Sequence, residues 1–297
     1  MELWKRGGAA AAIVVSCAIA LPGCAKNTEQ TGNPTGPEAV ATKDAKLAGL
    51  VPAAIAKKGY LKIGIGPNYS PNEYRDSSSK IVGWDVEIGD AMAAKLGLKA
   101  KYVESHFPEI LSGLGTGTFD IGISSFTDTK EREKTVDFVD YFQAGTQWAS
   151  GVDAKIGPDN ACGKTVAAQS NTNQLLEYLP ALSKKCVKAG KPAIKIDSYD
   201  DQTQATTAVS LGKADASAAD SPVIAYAVKQ SHGKLQLSGG IIDAAPYGIP
   251  IKKGSKLGRA MVAAFEALKK DGTYDKILKR WGVEAGSMDK FSVNGAA

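Results

Sequence analysis

The chain is 297 residues long, 43% hydrophobic and 23% charged, with a formal net charge of +5. That length suits two lobes with separate cores rather than one small domain. Lysines and arginines are scattered, with no basic stripe between aromatics, which argues against a nucleic-acid partner.

The first 24 residues differ from the rest. Lys5-Arg6 gives a positive start, and Ala9 to Leu21 is apolar but too short to span a bilayer as a mature helix. It ends Leu21-Pro22-Gly23-Cys24, and small residues before a cysteine suit a peptidase. The segment resembles a bacterial lipobox, which implies a signal peptide over 1–23 and lipid on Cys24. Plain secretion, with Cys24 left over, is the alternative. Ala25 to Ala45 is rich in Thr, Asn, Gly, Pro and Glu, so residues 24–45 read as a lipidated flexible tether. Cys17 leaves with the signal peptide. Cys162 and Cys186 remain as an isolated pair, which an oxidising compartment joins as a disulfide. His106 and His232 form no ligand spacing with that pair, so neither a metal nor a cofactor is expected.

Leu47 to Lys58 has a helical apolar period, ended by Gly59. Tyr60 to Ile65 alternates as a first strand, and the loop Gly66 to Tyr74 leaves its carboxyl end, where ligands sit in open α/β sheets. Tyr69 offers a flat apolar face there, or packs the loop. Ile81-Val82-Gly83-Trp84-Asp85-Val86 leads into a helix over Glu87 to Leu96. Asp85 stands near that helix start, where the dipole favours it. Ala100 to Val103 is a strand, and Phe107 to Leu114 a helix. Phe119 to Ile123 reads as a buried strand that opens into Ser124, Ser125 and Thr127. Thr127 or Thr129 caps the polar helix that begins Lys130-Glu131-Arg132. Strand end, hydroxyls, helix-start amides and guanidinium together suit one planar anion. A capped turn with Arg132 in solvent is the plain alternative.

Val136 to Phe142 precedes a crossing placed near Trp148 to Gly151. Lys164 to Ala168 is a strand, and Gln169 to Gln174 a loop opening a helix over Leu175 to Leu182 that Pro180 ends. Asn171 in that loop tolerates left-handed φ better than most residues. Ile194 to Ile196 is a strand and Asp201 to Leu211 a helix. Asp220 ends the apolar strand after Gly212, a costly place for an acid without a cation. Its alternative role is to cap the helix Val223 to Lys229. Tyr247 to Ile251 is a returning strand, and Leu257 to Lys270 an amphipathic helix.

Several of these segments match one pattern in order: Tyr69 to Glu73, Gly83-Trp84-Asp85, Ser124 to Arg132, Val136 to Tyr141, Gln169 to Asn173, Gly212 to Asp220, and Asp271 to Gly282. From about Tyr60 to Gly282 the chain resembles solute-binding protein family 3, the polar amino-acid binding proteins of ABC importers. The resemblance implies a type II periplasmic-binding-protein fold of α/β class, two α/β lobes joined by a two-strand hinge. Lobe 1 is expected over 46–150 and 247–297, and lobe 2 over 151–246. It implies a ligand side chain between Tyr69 and Phe107, and an α-carboxylate and α-ammonium held by Ser124, Ser125, Thr127 and Arg132. The turn Asn171, Thr172 and Asn173 closes over the carboxylate, and Asp220 pairs with the ammonium. Asn72 stands where the family's Tyr-x-Pro-Phe-Glu has Phe, Trp84 where Gly-Phe-Asp has Phe, and Asn173 replaces a threonine hydroxyl.

The resemblance thus implies a monomeric, lipid-anchored protein on the extracytoplasmic face of the cell membrane. It captures a free amino acid and passes it to an ABC transporter permease, without enzymatic turnover. Glu73 and Asp85 near the side-chain pocket favour a polar or basic ligand. A sensing domain read by a signalling partner is one alternative. A dehydratase acting on cyclic substrates is another, for which Glu73 is the only candidate acid.

Overall fold

The computed structural model describes Pro34 and residues 38–296, which form one unit. The expected signal peptide, Cys24 and the tether up to residue 37 lie outside the described residues, Pro34 apart. Residues 38–44, expected as tether, lie against the body instead. Ala39 and Ala41 cover the core, and Asp44 N–H donates to Lys95 O at 3.0 Å.

Eleven strands and ten helices are described: α1 Ala45–Ala48, α2 Ala53–Lys58, β1 Tyr60–Ile65, β2 Asn68–Tyr69, β3 Glu73–Arg75, β4 Ile81–Val82, α3 Trp84–Lys95, β5 Lys99–Glu104, α4 Phe107–Thr116, β6 Ile121–Gly122, α5 Lys130–Glu133 and β7 Val136–Gly151. There follow β8 Thr165–Gln169, α6 Leu179–Lys188, β9 Lys195–Tyr199, α7 Gln202–Ser210, β10 Ala216–Asp220, α8 Ser221–Gln230, β11 Leu235–Lys252, α9 Leu257–Lys270 and α10 Thr273–Trp281.

Hydrogen bonds link eight strands in the order β5-β1-β6-β11-β7-β10-β8-β9. At one end β1 pairs in parallel with β5 and β6, and at the other β8 pairs in parallel with β9 and β10. The long antiparallel strands β7 and β11 run through both halves. Their pairing slips between Ser238 and Ile242, between Ile242 and Ala245, and between Tyr247 and Gly248. Such irregularities bend a strand pair. The larger core lies under the first half, where Trp84, Tyr141, Phe142, Tyr247 and Phe265 meet the apolar faces of α3, α9 and α10. A smaller one, with Trp148, Val166, Leu179 and Ala218, lies under the second half. There Cys162 and Cys186 are joined by a disulfide.

Several expected boundaries move for local reasons. The helix expected over Leu47 to Lys58 is broken, because the residue before Pro52 is driven out of the helical region and a new helix starts after it. The helix expected to end at Pro180 runs on to Lys188. Pro180 sits in the first turn of α6, where a missing N–H costs little, after a single widened π-helical turn over Gln174–Tyr178. The strand expected from Phe119 pairs only at Ile121–Gly122, and the Phe119 ring packs against Gly64 and Gly113. A Cβ on Gly113 would stand 2.5 Å from that ring.

Candidate functional site

A cleft of about 350 Å³ is lined by Asn68, Tyr69, Glu73, Phe107, Ser124 and Ser125, then Thr127, Arg132, Gln169, Thr172, Asn173, Gln174 and Asp220. Two sequence-derived candidates stand behind the lining. Asp85 is fully buried on α3, where its carboxylate accepts from Ser125 N and Tyr141 Oη at 2.9 and 2.6 Å. Asn171 adopts the left-handed conformation expected of it, with φ of 61°, and presents its carbonyl to the Arg132 Nη2 at 3.4 Å.

Arg132 is placed by its own turn. Thr129 caps α5 by accepting from Arg132 N at 3.3 Å, and Arg132 Nη1 donates back to Thr127 O at 2.8 Å. The guanidinium lies 5.8 Å from the ring centres of both Phe107 and Phe126. Those rings stack on each other, centres 4.3 Å apart. Cation and ring faces attract electrostatically, so the rings hold the guanidinium at the cleft wall. Burial pushes its pKa down, and Asp220 pulls it back up.

Asp220 faces the same cleft from the end of β10. It occupies the N-cap position of α8 but its side chain makes no capping bond. It accepts from Tyr69 Oη at 2.9 Å and from Gln174 Nε2 at 2.8 Å. Burial pushes this carboxyl up, against its hydrogen bonds and the Arg132 guanidinium. Burial also raises the Tyr69 hydroxyl well above its ordinary range, with Asp220 adding to the effect. The Tyr247 hydroxyl and Asn173 Oδ1 are buried without a well-aligned partner and line a smaller recess that continues past Asp220.

The cleft floor is a chain of hydroxyls and acids. Ser124 Oγ accepts from Gly66 N at 3.2 Å and donates to Glu73 Oε1 at 2.9 Å. Ser125, at φ of 50°, lies between Glu73 and Asp85, 3.1 and 2.9 Å from their carboxyl oxygens. Burial and the neighbouring Asp85 push Glu73 well above the usual carboxylate range. Asp85 is raised by burial to about 6. Thr172 spends its hydroxyl on the turn, donating to Gln169 O at 2.7 Å and accepting from Leu175 N at 3.3 Å.

Three contacts bridge the halves across the cleft: Tyr69 to Asp220, Arg132 to Asn171, and Gln169 Nε2 to Asn68 Oδ1 at 3.4 Å. Sequence reasoning missed Asn68, Gln169 and Gln174. Gln169 ends β8, a strand-end signal that was available. Gln174 offered none, because its partner Asp220 is 46 residues away in the chain. Among the described residues no cluster of acids, histidines or cysteines is suited to a metal ion, and no helix is long and apolar enough to cross a membrane.

The sequence model of the bacterial extracellular solute-binding proteins, family 3, matches residues 61–284. The Arginine-binding protein ArgT of Corynebacterium glutamicum is 40% identical over 293 residues, 98% of this chain and 96% of that protein. Among solved structures, an ancestral arginine-binding protein bound to arginine is similar with a TM-score of 0.68 and 32% identity, over 75% of this chain and 98% of that one. An ancestral amino acid-binding protein described as a precursor of cyclohexadienyl dehydratase is similar with a TM-score of 0.67 and 32% identity, over 77% and 97%. The chain therefore belongs to the bacterial extracellular solute-binding proteins of family 3, with the α/β fold of the type II periplasmic binding proteins.

Proposed function

We propose that this protein captures a free L-amino acid with a polar or basic side chain by closing two lobes around it, and delivers it to an ABC transporter permease. One observation carries the reading: Arg132 and Asp220 reach a single cleft from opposite halves of the sheet. A guanidinium and a carboxylate so arranged match the two poles of a zwitterion. Arg132 takes the α-carboxylate bidentately, helped by Thr127 and the turn at Asn171, Thr172 and Asn173. Asp220 takes the α-ammonium in place of a Tyr69 or Gln174 bond. Ser124 and Ser125, expected at the ligand's α-groups, spend their hydroxyls on Glu73 and Asp85. In this reading they and Glu73 therefore face the side chain, with Tyr69 and Phe107 on its flanks and Asp85 behind Ser125.

In this reading the halves are lobes and β7 and β11 the hinge. The expected boundaries were 150/151 and 246/247. Pairing of β10 with Thr146–Ser150 supports counting that end of β7 with the second lobe. The crossings then fall near Ala144 to Thr146 and near the slipped pairing between Ile242 and Ala245. Ligand contacts made only in the closed form shift the equilibrium by that difference in affinity. The anchor follows from Cys24: cleavage before it and lipid attachment hold a monomer at the extracytoplasmic face of the membrane.

Arginine is the ligand to test first, since the relative of 40% identity is named an arginine-binding protein. In a thermal-shift screen of the common L-amino acids, a ligand at 100 times its Kd adds about 2.7 kcal/mol, or about 5–10 °C. A flat response to all of them sinks the reading. Turnover of arogenate or prephenate in the same samples would favour a dehydratase, in keeping with the precursor fold it resembles.

A further inference from the structure

The stretch matched to the family stops at residue 284, yet the chain beyond it stays folded on the first half. Phe291 is buried in the larger core, its ring centre 5.3 Å from those of Phe265 and Tyr274. The residues after it run antiparallel along β7. Asp140 N donates to Ser292 O at 3.0 Å, Asn294 N donates to Phe138 O at 3.0 Å, and Val293 bridges Val139. The Asn294 side chain, on a backbone with φ of 60°, reinforces this pairing. Its Oδ1 accepts from Phe138 N at 2.8 Å and its Nδ2 donates to Asp137 Oδ1 at 3.0 Å.

The end of this tail lies beneath the Arg132 turn. Asp128 stands between Thr127, whose carbonyl holds the guanidinium, and Thr129, which caps α5. Its carboxyl is not part of the cleft lining. It accepts from Ala296 N at 3.2 Å and lies beside Glu133 and Asp140. Asp140 Oδ2 accepts from Gly295 N at 2.8 Å and from Ser292 Oγ at 3.1 Å. The well-aligned donors to these two aspartates thus all come from the tail. One oxygen on each of three acids, Asp128 Oδ1, Glu133 Oε1 and Asp140 Oδ1, is buried without a well-aligned partner. Buried carboxyls that lose their donors must draw in water, and once ionised they repel one another. Asp128 and Glu133 bracket Thr129–Arg132 in the chain, so a push on them moves the guanidinium.

Resting on the amino-acid-binding reading, we propose that Ser292–Ala296 is a positioning element of the binding site. It holds Asp128 and Asp140 beneath the turn Thr127–Arg132, and so sets the guanidinium that takes the ligand α-carboxylate. A tail that only covered the side of β7 could stop at Asn294, where its pairing is complete. Gly295 and Ala296 instead carry their amides on to the two acids. The tail residues act through Arg132 and touch no ligand themselves. Arginine is sensitive to such support, because a bidentate grip needs its fork correctly turned, whereas a point charge does not.

Gly295→Pro, made in the full chain, tests this. It removes the N–H that Asp140 accepts and sets a ring where a Cβ would already stand 2.4 Å from Asp140 Oδ2. The probe is L-arginine, or the L-amino acid that the thermal-shift screen ranks above it, titrated calorimetrically well below the melting temperature. We expect Gly295→Pro to weaken binding about tenfold, as for one charge-assisted bond pulled out of line. Asn294→Gly keeps the left-handed backbone but drops two side-chain bonds, and should weaken binding about threefold. It carries the comparison if the proline variant does not fold. The same titrations are then run on Arg132→Lys, whose flexible ammonium needs no set orientation. There the tail substitutions should cost less than about twofold. An equal loss in both backgrounds, or an affinity that neither substitution changes, overturns the positioning role and leaves the tail as a cover for β7. A native protein that binds no amino acid overturns the underlying reading instead.

Discussion

The two halves of the sheet bring unlike groups to the cleft. The first half supplies aromatic faces and a guanidinium, Tyr69, Phe107 and Arg132, and a floor on Glu73 with Asp85 behind it. Behind that floor stands the core of Trp84, Tyr141, Phe142 and Tyr247. The second half supplies mostly neutral amides and hydroxyls, Gln169, Thr172, Asn173 and Gln174, with Asp220 as its acid in the cleft. Its core is smaller and is stapled by Cys162–Cys186. The contrast is physical. Two acids so close need many oriented donors and a shell that does not relax, which a large aromatic core provides. A smaller body keeps its single acid with neutral donors and closes the remaining gap in stability with a covalent link.

The largest effect should come from removing the charge that each half contributes. Arg132→Ala and Asp220→Ala should each weaken amino-acid binding by about 2–5 kcal/mol, because the opposite pole of the ligand is then left without its counter-charge. Titration calorimetry reads this directly. If only one of them matters, the division of labour between the halves is mistaken.

The staple is next. Cys162→Ser with Cys186→Ser frees a loop with a sequence separation of 24 residues. It should lower the unfolding free energy by about 3 kcal/mol in the chain-entropy picture, read by urea denaturation. An unchanged midpoint would mean that the second half needs no covalent help.

The smallest effect concerns a second acid pair in the first half, away from the cleft. Asp128 and Asp140 are buried, and the C-terminal tail closes over them: Gly295 N and Ser292 Oγ donate to Asp140 at 2.8 and 3.1 Å, and Ala296 N to Asp128 at 3.2 Å. Burial, with each acid's neighbours adding to it, raises Asp128 to about 6 and Asp140 to about 7, against an ordinary value of 3.8. The folded state therefore holds more protons than the unfolded chain between those values. This contribution to stability is intact below about pH 4 and is lost as pH rises through 6 and 7. Asp140→Asn should flatten that decline and raise the melting temperature at pH 8 by about 2–4 °C. A decline as steep as in the native protein would remove this pair from the account.

Much of this was legible along the chain. The alternation of Tyr60 to Ile65 and the apolar face of Leu257 to Lys270 are local patterns, and both elements form where expected. The Thr129 cap and the left-handed Asn171 are equally local. What stayed hidden depends on distant partners. Gln174 opens the π-helical turn, and its partner Asp220 lies 46 residues further along the chain. Asn72 reads as a polar intruder in an apolar motif until Trp84 and Ser125 are found on either side of it. Residues 38–44 have the composition of a tether, yet Ala39 and Ala41 pack on the core and Asp44 N–H bonds Lys95 O.

The sequence by itself determined the elements, the order of the motifs and the residue types at the cleft, because periodicity, caps and glycines act over a few neighbouring positions. Only the tertiary structure decided that Asp85 stands behind the floor rather than on it, and that Asn72 pairs with Trp84. It also decided that Glu73 and Asp85 both meet the hydroxyl of Ser125. Those outcomes depend on which donors arrive from far along the chain, and on how completely water is excluded once they do.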